Sequence, residues 1–171
     1  MIELNRKTRQ DFLDREWVQK LLDACIDMSD AKYIIAKDKL AMYDDEPDLT
    51  DYIWLKDSTA EVYDEIPTYS TAELLYKLNE WPSLEIDELD EDREKKIIGA
   101  PLMIFKDAPA YYAGYCFSHG SLTEGRKYPQ YRKYDIECMS EYPIETLAQL
   151  LITSAKSNFY NFKYCKDISD K

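Results

Sequence analysis

Ala100–Ser118, APLMIFKDAPAYYAGYCFS, is the most strand-like run in the chain. Leu102–Phe105 is unbroken apolar sequence. Asp107-Ala-Pro109 is turn chemistry, because proline presets φ for a tight bend and aspartate can bond the backbone ahead of it. Tyr111–Phe117 is a second run, rich in the aromatics that suit a pleated surface. The stretch reads as a β-hairpin at the middle of a sheet, with helices before and after laid against it. The fold class expected is α+β, a mainly antiparallel sheet of about four to five strands with about three main helices packed on it.

Outward from the hairpin, the bulk numbers fit a single domain over residues 1–171, large enough to bury about 70% of its unfolded surface without metal or disulfide support. With 45% hydrophobic and 33% charged residues the chain has the composition of a globular protein rather than a disordered one. No window approaches the ~18 uninterrupted apolar residues of a membrane span, and MIELNRKTRQDF lacks the apolar core of a signal peptide. A cytoplasmic location is the expectation, with no membrane contact. Cys25, Cys116, Cys138 and Cys165 are scattered without a CxxC pair, so reduced thiols are expected.

The net charge of −12 is unevenly placed: residues 1–100 hold 26 acids against 13 bases, whereas residues 101–171 hold 8 against 9. A negative field of that size argues against direct nucleic-acid binding and favours basic partners.

Before the hairpin, Thr8-Arg-Gln-Asp11 reads as a capping signal. Leu13, Trp17, Leu21, Cys25 and Met28 then recur at helical spacing, predicting a helix to about Asp27. Residues 31–43 fit a hairpin or a short helix, and the strand reading is preferred. Tyr52–Leu55 is a short strand. Ser70-Thr-Ala-Glu73 is a capping box opening a helix whose Thr71, Leu74, Leu75 and Leu78 share a face. Trp81-Pro82 ends it. Glu85–Glu94 then reads as an acidic linker or an exposed helical turn.

After the hairpin, Arg132–Met139 alternates as a half-buried strand, Tyr134, Ile136 and Cys138 against Lys133, Asp135 and Glu137. Pro143 starts a helix to about Asn158, with Ile144, Leu147, Leu151 and Ala155 inward. Glu65-Ile-Pro67 and Glu141-Tyr-Pro143 look alike. They are either two related strand–helix halves or, in the preferred reading, the same start chemistry used twice.

Arg15-Glu16-Trp17, Met28-Ser-Asp-Ala-Lys-Tyr33, Pro67-Thr-Tyr-Ser-Thr-Ala-Glu-Leu-Leu-Tyr-Lys-Leu78 and Tyr142-Pro-Ile-Glu-Thr-Leu-Ala-Gln-Leu-Leu151 resemble small uncharacterised proteins of bacterial prophages and gut-bacterial mobile elements. The likeness covers most of the chain as spaced islands, mainly core and capping sequence. It implies a phage-type protein of unknown function and brings no catalytic motif with it.

The candidate chemistry divides by residue type. Cys116, His119 and Cys138 are zinc-ligand types, but a structural site needs a fourth ligand and a tighter pair, so neither metal nor cofactor is expected. His119 is the only histidine, and no cysteine has a nucleophile's surroundings, so no catalytic residue is assigned.

Arg126, Lys127, Tyr128, Tyr131, Arg132 and Lys133 interleave bases with tyrosines. That pattern suits single-strand stacking, but the chain's charge favours reading it as a soluble ramp or protein contact. Phe159, Tyr160, Phe162 and Tyr164 form an aromatic tail expected to contact a partner. Asp44, Asp45, Glu46 and Asp48 with Glu85, Asp87, Glu88, Asp90, Glu91 and Asp92 form an acidic surface without the rhythm of a calcium loop. The leading expectation is a non-enzymatic acidic accessory protein acting through protein contacts. The alternatives are a nucleic-acid mimic that inhibits a host DNA- or RNA-binding protein, and a small carboxylate-based, divalent-metal hydrolase or nuclease.

Overall fold

Asp14, and not Thr8, starts the first helix. The computed structural model describes residues 1–5, 7–39, 50–78, 82–89, 95–119 and 128–157, the side chains of Asp87 and His119 excepted. Thr8 lies in a 3₁₀ turn, Thr8–Gln10, where its hydroxyl accepts from the Asn5 amide at 2.8 Å and donates to the Glu3 carbonyl at 2.7 Å. The extended Asp14 accepts from the Trp17 amide at 3.0 Å, so α1 spans Arg15–Asp23. It stops short of Asp27 because the chain turns through Cys25 at φ 60°. Cys25 is exposed there and does not join the buried stripe, which is carried by Val18 and Leu21 on the helix and by Leu13, Ile26 and Met28 beside it.

Four antiparallel strands, β1 (Ile2–Glu3), β2 (Tyr33–Asp38), β3 (Tyr52–Leu55) and β4 (Val62–Thr68), form one sheet in the order β1-β3-β2-β4. Tyr33–Asp38 is a strand, as preferred, but not one arm of a hairpin within 31–43, because its two edges pair with β3 and β4 and Lys37 and Asp38 lie in the ladder; residues 40–43 lie outside the described set. Ile34, Ile35 and Ala36 are buried in succession, as befits an inner strand covered on both faces.

Ser70 then caps α2 (Thr71–Lys77) with both halves of the capping box in place: the Glu73 amide donates to Ser70 Oγ, and the Ser70 amide donates to Glu73 Oε2. Leu74 and Leu78 turn inward, whereas Leu75 is exposed. The two proline entries differ. Pro67 sits inside β4, ahead of the cap, while Pro143 occupies the first turn of α3 (Pro143–Ala155).

Of Glu85–Glu94, expected as an acidic linker or an exposed helical turn, the described residues 85–89 belong to a strand. β5 (Ser83–Leu89) pairs antiparallel with β6 (Lys95–Gly99), because Ile86 alternates with acids that meet lysines across the pair: Glu85–Lys95 at 2.8 Å and Glu88–Lys96 at 3.6 Å.

The central hairpin is present as β7 (Leu102–Asp107) and β8 (Ala110–Tyr115), joined across a cis Ala108–Pro109 bond. Its place differs from expectation. The strands divide among three hydrogen-bonded sheets, and in the hairpin's own sheet, of order β7-β8-β9, β7 is an edge. Phe117, expected at the end of β8, lies instead in a 3₁₀ turn, Phe117–His119.

The strand expected over Arg132–Met139 begins only at Ile136, as β9 (Ile136–Ser140), because Pro129–Tyr134 winds into a 3₁₀ turn. Asp135 closes that turn by accepting the Ser118 amide at 2.9 Å and the Ser118 hydroxyl at 2.6 Å. Gly114 on β8 has no alternative residue at equal cost, since a Cβ there would run into the Ile136 carbonyl oxygen.

Helix α3 lies over β8 and β9 and against α1 and α2, burying Ile144, Leu147, Ala148, Leu150 and Leu151 in one cluster with Leu13, Leu21, Ile35, Tyr69 and Tyr115. The observed class is α+β with antiparallel sheets. Among the described residues no helix is long and apolar enough to cross a membrane.

Candidate interaction surface

The hairpin sheet has two unlike faces. Along one, the rows Leu102–Tyr115–Ile136 and Ile104–Ala113–Cys138 point towards α3. Ala113, Tyr115 and Cys138 are buried there, and Cys138 Sγ lies 3.8 Å from Thr153 Oγ1 of the helix. Burial pushes the Cys138 thiol above its ordinary value, which keeps it protonated and inert.

Along the other face, Phe105, Tyr112 and Met139 stand side by side across the three strands. The Phe105 and Tyr112 rings stack at 4.9 Å with an interplanar angle of 2°. Phe105 is 49% exposed and Met139 56%. Met103 adds apolar area to the same face in the next row, opposite Gly114.

Strand β7 overhangs the helix layer. Because α3 lies over β8 and β9, Ile104 on the covered face is as exposed as its neighbour Phe105, so consecutive apolar residues on opposite sides of one strand both meet solvent. A strand edge in that condition is a template for pairing unless it is guarded. The other described edge strands carry guards. β4 has Asp64, Glu65 and Pro67, and Asp64 is held at φ 55° by Arg15 and Lys37. β1 is only two residues long and ends in Glu3, β5 carries acids, β6 opens with two lysines, and β9 has Glu137 as its second residue. In β7 the only charges, Lys106 and Asp107, stand at the turn end; Leu102–Phe105 has no charge and no proline, and the register with β8 is unbroken.

The residues singled out from sequence lie elsewhere. Tyr131 is in the core, its ring 5.8 Å from that of the half-buried Tyr128 and its hydroxyl donating to Glu88 at 3.2 Å. Arg132 and Lys133 are exposed beside it. Glu85 and Glu88 are taken up by Lys95 and Lys96. Arg126, Lys127, Asp44, Asp45, Glu46, Asp48, Asp90, Glu91, Asp92, Phe159, Tyr160, Phe162 and Tyr164, and the side chain of Asp87, lie outside the described set. Cys116 sits 3.4 Å from Ser118 Oγ and 3.7 Å from Asp135 Oδ2, and no group of three or more metal-ligating side chains converges among the described residues.

A cleft of about 470 Å³ lined by Asp30, Lys32, Tyr69, Glu73, Tyr76 and Lys77 is the second feature that sequence reading missed. Lys77 Nζ donates to Asp30 Oδ2 at 2.9 Å and lies 4.9 Å from the centre of the Tyr69 ring. The Tyr69 hydroxyl lies 2.8 Å from both Asp30 Oδ1 and the Asp27 carbonyl oxygen and shares its one hydrogen between them. Glu73 takes the Lys32 amide at 2.9 Å in addition to its capping bonds. These charges satisfy one another, so the network clamps α2 to the turn before β2.

The exposed apolar row did leave a trace in the sequence. Leu102–Phe105 is apolar at both phases of a strand, and Met139 is apolar at the phase held by Glu137, where a one-faced strand carries polar residues. Comparison of the chain with protein-family models, with curated proteins and with solved structures finds no match.

Proposed function

We propose that this protein is a binding module that engages a protein partner by strand addition at the edge of β7. The observation that supports the reading is the unguarded edge itself, with Ile104 and Phe105 exposed on its two sides and the Phe105–Tyr112–Met139 row continuing the outer face. Strand addition draws affinity from main-chain hydrogen bonds and specificity from alternate side chains, so it needs a free edge and an apolar face beside it. The partner it fits is an extended segment with apolar side chains at alternate positions.

The test is capture from the source lysate with the wild type and two variants, Phe105→Lys at the proposed contact and Leu55→Lys at an exposed apolar residue on another sheet. Proteins retained by the wild type and by Leu55→Lys, but reduced about tenfold or more with Phe105→Lys, are the expected result. Equal retention by all three would remove the reading.

A further inference from the structure

We infer that the strand β7 receives is the β7 of a second copy of this chain, joined about a two-fold axis near Phe105; the inference rests on the strand-addition reading of that edge. Antiparallel pairing of β7 with itself about Phe105 sets Ile104 opposite Lys106 and Met103 opposite Asp107, so no like charges meet across the seam. The outer faces then continue into one another. The row Met139–Tyr112–Phe105 of one copy runs on into Phe105–Tyr112–Met139 of the next, with the two Phe105 rings side by side at the axis.

Charge permits this occupant. Two copies of a chain carrying −12 repel each other, yet β7 itself carries one charge of each sign, Lys106 and Asp107. The seam between two β7 strands therefore adds no net repulsion of its own. Two-fold isologous dimers are also the commonest homo-oligomers.

Sedimentation velocity on the full chain, at concentrations up to about 100 µM, tests the inference. A dimer in the wild type and in Leu55→Lys, reduced to monomer in Phe105→Lys with an unchanged far-UV circular dichroism spectrum, is the result expected. A wild type that stays monomeric throughout overturns the second copy as occupant. Strand addition by a different protein then stands or falls by the capture experiment, so the two failures are distinguishable. A dimer that persists in Phe105→Lys also overturns the inference, because the contact would lie away from β7.

Discussion

Lys77 is a cation in a side chain only 4% exposed, and it is tolerated because Asp30 accepts from it at 2.9 Å while the Tyr69 ring lies 4.9 Å away. Burial alone would raise the Asp30 carboxyl, but the hydrogen bonds from Lys77 and Tyr69 outweigh it and hold Asp30 below its ordinary 3.8. A depressed carboxylate contributes stability that is present above that value and lost as pH falls through the lower folded one. Asp30→Asn is therefore expected to be less stable than the wild type near pH ~7, with the gap closing below pH ~3, as read by urea unfolding at both. An unchanged gap would contradict this.

Ser154 is the opposite case. Its hydroxyl is fully buried with no hydrogen-bond partner among the described residues, whereas Thr146 on the same helix bonds the Tyr111 and Tyr142 carbonyls. Ser154→Ala should be neutral or stabilising by up to about 1 kcal/mol, while Thr146→Val should cost about 1 kcal/mol in the same unfolding measurement. Neither relation was legible in the sequence, because Asp30 and Lys77 lie far apart in the chain and a buried hydroxyl looks like any other serine.

Local chemistry is what sequence reveals best, and the elements divide along that line. The capping box at Ser70, the strand at Tyr52–Leu55, the proline start of α3 and the hairpin are each specified within a few adjacent residues, and each stands where its residues indicate. Ser70→Ala should cost about 1 kcal/mol, read as a lower urea midpoint at constant slope, and a loss of much less would mean that Glu73 holds the turn alone through Lys32. The misread elements failed where a distant partner decides. Residues 83–89 become a strand because lysines of β6 answer their acids. The strand after Pro129 starts late because Asp135 is claimed by Ser118 from the turn that follows β8. The first helix starts late because Asp14 outcompetes Thr8, whose hydroxyl is already committed to the Glu3 carbonyl. Sheet membership depends on the same distant pairings, so the hairpin's position at an edge could not be read from the hairpin.

At the scale of the whole molecule, charge is spread unevenly along the chain. The excess of acids belongs to residues 1–100, and the least guarded strand edge belongs to the nearly neutral remainder. On the proposed reading, the β7 edge is the strand that accepts another. Amide hydrogen exchange read by mass spectrometry over a roughly hundredfold range of protein concentration examines that strand directly. Exchange in Leu102–Asp107 should slow as the concentration rises, while the guarded edge strand Val62–Thr68 stays unchanged. Concentration-independent exchange in both strands would contradict the account.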